Sequence, residues 1–157
     1  ITTMKKTRLL IVASALLLAL AAASQTNAPT PGKHIMKRLG LTGKTLKAEG
    51  VGAWSLSDGG MVYASHPFCS GIKGFKGPTP LYIAVSKTGR ITAVAPDRNS
   101  ETQSVWAKVQ GSHLFKSWNG RSLKSAATAK VDAVSGATYS STAVIRTVKA
   151  TAEKFSK

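Results

Sequence analysis

Apolar positions recur along the chain in three rhythms, and each predicts a different element. Near the start they form a run from Leu9 to Ala23, interrupted only by Ser14. From Val51 they shorten into stretches separated by turn residues: Ala53-Trp54-Ser55-Leu56, then Ser57-Asp58-Gly59-Gly60, then Met61-Val62-Tyr63-Ala64. Asp-Gly-Gly between alternating runs signals a hairpin, because Gly supplies the positive φ that tight turns need. A second hairpin reads Leu81 to Val85, a turn over Ser86-Lys87-Thr88-Gly89, then Arg90 to Val94. In the last segment, Val144, Ile145, Val148, Ala152 and Phe155 share one stripe, with Arg146, Lys149 and Lys154 off it. That spacing predicts an amphipathic helix over Ser141 to Phe155, capped by Ser140 or Ser141.

The remaining segments fill in around these. Pro29 to Gly50 is broken by Pro31, Gly32, Gly40 and Gly43, and supports only a short helix from His34 to Leu39. Gly71 to Pro80 holds three Gly and two Pro, which excludes a long helix there. Ser100 is a candidate N-cap, with Glu101 in the first turn favoured by the helix dipole. The helix after it turns Val105, Trp106 and Val109 toward the sheet, and a further short helix spans Leu114 to Trp118. These segments predict an α+β fold of about four strands in a small antiparallel sheet of hairpins, covered by helices, with Ile72 and Phe75 candidates for one more strand.

The first run is an address. Met4 is followed by Lys5, Lys6 and Arg8, the apolar run, and a small polar stretch ending at Ala28, the three-part pattern of a secretory signal peptide. Ile1 to Thr3 read as upstream sequence or an expression scar. A run of fifteen residues, rich in Ala, is short for a bilayer that needs about 20, so an uncleaved anchor is the lesser reading. The expected cut follows Ala23 or Ala28, with Ala28 favoured. The expected organisation is therefore a signal segment 1–28, an N-terminal segment 29–50, and a single domain 51–157.

Charge narrows the partners. The signal segment holds three of the 22 Lys and Arg and none of the six Asp and Glu, leaving 19 against six, a net +13. Such a surface suits anionic ligands and membrane headgroups. The basic residues are scattered, without a Cys/His cluster or a nucleic-acid motif, which argues against nucleic acid as partner. Cys69 is the one cysteine and cannot form an internal disulfide; among apolar neighbours it reads as a small buried hydrophobe. No metal set, Ser/His/Asp order or dinucleotide-binding Gly motif is present, so the sequence offers no catalytic or metal-binding residues.

Specific chemistry concentrates in Asp132 to Ser141, where five of ten side chains are hydroxyls and Gly136 and Ala137 leave the backbone open. A helix begins immediately after it, and helix N-termini present unpaired N–H groups and a positive dipole end to an anion. From composition alone, an ordinary cap and loop would serve equally. Asp132-x-x-Ser135-Gly136-Ala137-Thr138 nonetheless resembles the flavinylation signature of the FMN-binding domain family, which includes the flavin subunits of sodium-pumping NADH:quinone reductase and the Rnf complex. Two further segments agree in order: the Gly-aromatic-x-Gly stretch ending at Gly77, and the pair Glu101-Thr102. The family often carries His two residues before that Glu, where this chain has Asn99, an amide that cannot titrate near neutral pH.

The resemblance implies FMN as cofactor, attached through a phosphoester to the Thr138 hydroxyl by a separate flavin transferase. Ser135, Gly136, Ala137, Tyr139, Ser140 and Ser141 would surround the phosphate, Asp132 would organise the loop or assist the transferase, and Glu101, Thr102 and Gly77 would wall the flavin. The expected protein is an exported flavoprotein at the periplasmic or outer face of the membrane, passing electrons between partners in or near it. Two other readings stay open: a non-redox basic protein that holds anionic lipid, polymer or a nucleotide-like ligand, and a flavin-dependent reductase with its own small-molecule substrate.

Overall fold

A computed structural model describes residues 28–157, so the signal segment over 1–27 lies outside the described residues. Five strands form one antiparallel meander in the order β1-β2-β3-β4-β5: β1 Leu46–Gly50, β2 Ala53–Leu56, β3 Met61–Ala64, β4 Leu81–Val85 and β5 Ile91–Pro96. Four α-helices surround it: α1 Lys33–Arg38, α2 Gln103–Gly111, α3 Leu123–Thr128 and α4 Thr138–Phe155, with a 3-10 turn at Leu114–Lys116. No helix among the described residues is long and apolar enough to cross a membrane.

Both hairpins form as the alternation predicts. Trp54 pairs with Val62, and Ile83 with Val94. The extra strand is β1, not Ile72 and Phe75; that segment makes only an isolated bridge between Lys73 and Pro78 because its glycines bend it into a loop. Lys47, Ala48, Glu49 and Gly50 in β1 are all exposed, so no burial pattern marked it as a strand.

Every residue of β4 is buried, because the sheet is covered on both faces. Leu81, Ile83 and Val85 turn toward α2, α3 and α4, where they meet Val109, Trp118, Val144 and Val148. Tyr82 and Ala84 turn the other way, into a core with Trp54, Val62, Ile35, Met36 and Leu39. Residues 29–50 thus belong to the same fold, as β1 on the sheet's edge and α1 on its second face. Ala28 is packed into that second core, and the Pro29 carbonyl accepts a hydrogen bond from the Tyr82 hydroxyl at 2.8 Å.

Two helices differ from expectation. The small residues from Leu123 form α3, capped by Ser122, whose hydroxyl accepts the Ser125 N–H. The last helix begins at Thr138, three residues before Ser141, with Ala137 in the cap position. Cys69 is buried between Thr147 and Thr151, and burial pushes its thiol up in pKa, with the Thr151 hydroxyl opposing.

Candidate functional site

Glu101 is the residue through which three separate segments meet. Its carboxylate is buried and accepts the Phe75 N–H at 3.0 Å on Oε2, and the Lys76 and Gly77 N–H groups at 2.8 and 3.2 Å on Oε1. The Ser140 hydroxyl, from the first turn of α4, donates to the same Oε2. Burial raises the carboxyl's pKa, but these donors outweigh it and leave it below the ordinary range. Glu101 is therefore not a helix-dipole residue: α2 starts two positions later, Thr102 occupies its cap position, and Ser100 does not cap it. Asn99 accepts the Glu101 N–H at 3.0 Å, so the amide that stands in the histidine position holds the loop into α2.

The Gly-rich loop exists in this shape because of that carboxylate. Gly74 donates to the Gly77 carbonyl at 2.8 Å, closing a tight turn over Phe75 and Lys76. A β-carbon on Gly74 would sit 2.8 Å from Glu101 Oε2, closer than such atoms approach. The close approach that glycine permits here is to a carboxylate.

On the opposite wall, the Asp132–Ser141 stretch splits into inward and outward residues. Ser141 is buried, accepts the Val134 N–H at 2.8 Å and donates to the Ala137 carbonyl at 2.8 Å. Ser140 is buried and committed to Glu101. Neither hydroxyl caps the helix: Ser140 donates to Glu101 and Ser141 bridges Val134 and Ala137, while Ser140 also lines the cavity of Thr138. Ser141, not Asp132, ties the loop to the helix. Asp132 is exposed and lines a different cavity, with Lys130, His113 and Arg121.

Thr138 and Tyr139 point outward at the first two positions of α4. Gly136 has φ +75°, which favours Gly, and a β-carbon there would lie 3.0 Å from the Lys108 ammonium of α2. A cation therefore stands beside the entrance of the helix. Ser135 is exposed near it.

Thr138 lines a cavity of about 200 Å³ together with Phe75, Glu101, Thr102, Val105 and Tyr139. The cavity is smaller than the ~300–1,000 Å³ of pockets that engulf a ligand, so it suits one held partly at the surface. A larger cavity of about 480 Å³ lies across Glu101, lined by His34, Arg38, Arg98 and Trp106. It contains no residue of the Asp132–Ser141 stretch, and the smaller cavity is the one where the motif segments converge. Gly77 reaches that convergence through its N–H to Glu101 and does not line the cavity. His113 is exposed and Trp118 lies in the core, both away from it.

The arrangement offers an exposed hydroxyl at a helix N-terminus, a neighbouring ammonium, and an apolar cavity edged by two exposed aromatics, Phe75 and Tyr139. Lys108 carries no motif signal, and only the packing of α2 against the start of α4 brings it here; Phe75 is the aromatic of the Gly-aromatic-x-Gly stretch, and the bend of that loop turns it to the cavity. A family model described as an FMN-binding domain matches residues 74–153, from the Gly-rich loop to the end of α4. No curated protein and no solved structure matches the chain.

Proposed function

We propose a function from one premise: the chain belongs to the FMN-binding domain family, with FMN as its cofactor. The protein binds its flavin by the phosphate at Thr138, as a phosphoester on Oγ1 made by a dedicated flavin transferase, and serves in electron transfer outside the cytoplasm. The residues fit such a group. Thr138 is the exposed hydroxyl at the first position of an 18-residue helix, where N–H donors, the dipole and the Lys108 ammonium all favour a phosphoryl group. The apolar cavity beside it accepts part of a planar ring. The observation that carries the reading is the exposure of Thr138 at the cavity: Ser140 and Ser141 are buried and bonded, Ser135 does not line it, and Tyr139 presents a phenol.

The flavin supplies the redox chemistry. The protein's own residues attach and orient it: Lys108 offsets the phosphate charge, and Glu101 fixes the two walls relative to each other. Export through the N-terminal signal places the domain at the periplasmic or outer face of the membrane, where its net +13 surface suits anionic headgroups or an acidic redox partner.

Co-expression of the chain with a flavin transferase, followed by denaturation, tests the attachment. Flavin fluorescence and the FMN mass increment should stay with the polypeptide, persist in Ser135→Ala, and vanish in Thr138→Ala. A colourless wild type, or an unchanged adduct in Thr138→Ala, would overturn it.

A further inference from the structure

Phe75 and Tyr139 are 70% and 73% exposed, in a fold that buries nearly every other large apolar side chain. Both line the cavity of Thr138. Their ring centroids stand 6.3 Å apart with planes inclined at 43°, a tilted contact between two rings that both stay exposed. A planar ring sandwiched between two others needs about 3.5 Å on each side, or about 7 Å between the outer rings. A small rotation of two exposed side chains would open that gap.

The roots of the two aromatics are tied by hydrogen bonds while their rings face solvent. Phe75 is held by its N–H at Glu101 Oε2, and Tyr139 precedes Ser140, whose hydroxyl donates to that same oxygen. One carboxylate oxygen therefore sets the distance between the backbones that carry the two rings. We infer that Phe75 and Tyr139 form an aromatic clamp for the flavin ring, with Glu101 as the positioning residue that sets its span. This deepens the FMN reading and rests on it for the ligand, but it does not depend on covalent attachment at Thr138. The clamp recognises a flat heteroaromatic face, so it should accept the ring without the phosphate.

Riboflavin, which lacks the phosphate, separates the two claims. Titrated onto the flavin-free chain, it should shift the ring NMR signals of Phe75 and Tyr139 upfield and saturably, in wild type and in Thr138→Ala alike. Absence of those shifts overturns the clamp whether or not Thr138 carries flavin. In chain loaded by the transferase and matched for adduct mass, the visible circular dichroism of the flavin should fall several-fold in Phe75→Leu/Tyr139→Leu, and its fluorescence anisotropy should decay faster. Tyr139→Phe should restore the dichroism, since it keeps the stacking face. Glu101→Gln should weaken it while the adduct mass stays constant. A double variant that retains wild-type dichroism and anisotropy would overturn the proposal.

Discussion

At the scale of single residues, the site depends on where one carboxylate spends its lone pairs. Glu101 accepts from three backbone N–H groups and one hydroxyl, and charge-assisted bonds of this kind are the strong ones. Glu101→Ala leaves those donors without their acceptor in a buried setting, and should cost about 3 kcal/mol in urea unfolding. The sign of the pH effect follows from its lowered pKa. The stabilisation is complete above the unfolded value of about 4.3 and is lost as pH falls through the lower folded value. Stability measured from pH 6 to pH 2 should therefore fall less steeply in Glu101→Gln than in wild type. Gly74→Ala tests the same contact from the other side: its β-carbon must displace the carboxylate, at a cost of about 1–3 kcal/mol. A Gly74→Ala protein as stable as wild type would refute the steric reading.

At the scale of elements, the start of α4 is shaped by Gly136 and faced by Lys108 of α2. Gly136→Ala places a side chain at φ +75° and should lower stability by about 1 kcal/mol, seen as a fall in Tm. Lys108→Gln should leave Tm nearly unchanged and slow flavin attachment, measured as adduct mass against time with the transferase. The elements that were legible in the sequence are those whose pattern is local. The two hairpins and the stripe of α4 announce themselves because alternation and helical spacing lie within one segment. β1 did not, since an exposed edge strand buries almost nothing that would make it alternate. Ser140 and Ser141 read as caps because serine commonly caps; their buried roles depend on Glu101, 39 residues away, and on the Val134 N–H. The motif residues were readable as a set, but which hydroxyl faces solvent depends on packing that no spacing encodes. For the same reason Glu101 looked like a helix-start residue until the Gly-rich loop was seen folded over it.

At the scale of the whole molecule, the surplus of positive charge should favour the more negative redox state of a bound flavin. The loaded protein is expected to show a reduction potential above that of free FMN, with the difference shrinking as salt is raised. A potential at or below that of free FMN would contradict this. The two-sided core has a consequence for maturation as well. Ala28 packs among α1 and the second face of the sheet, and the next residue's carbonyl anchors the Tyr82 hydroxyl. Signal removal after Ala28 would strip away a packed side chain and put a charged amino group beside that anchor. Removal after Ala23, the other site the signal pattern offers, would keep Ala28 in that packing. Sequencing the first residues of the processed chain, after expression in a secreting host, should find Ser24 at its start, so that the residue closing the second core keeps a peptide bond in front of it.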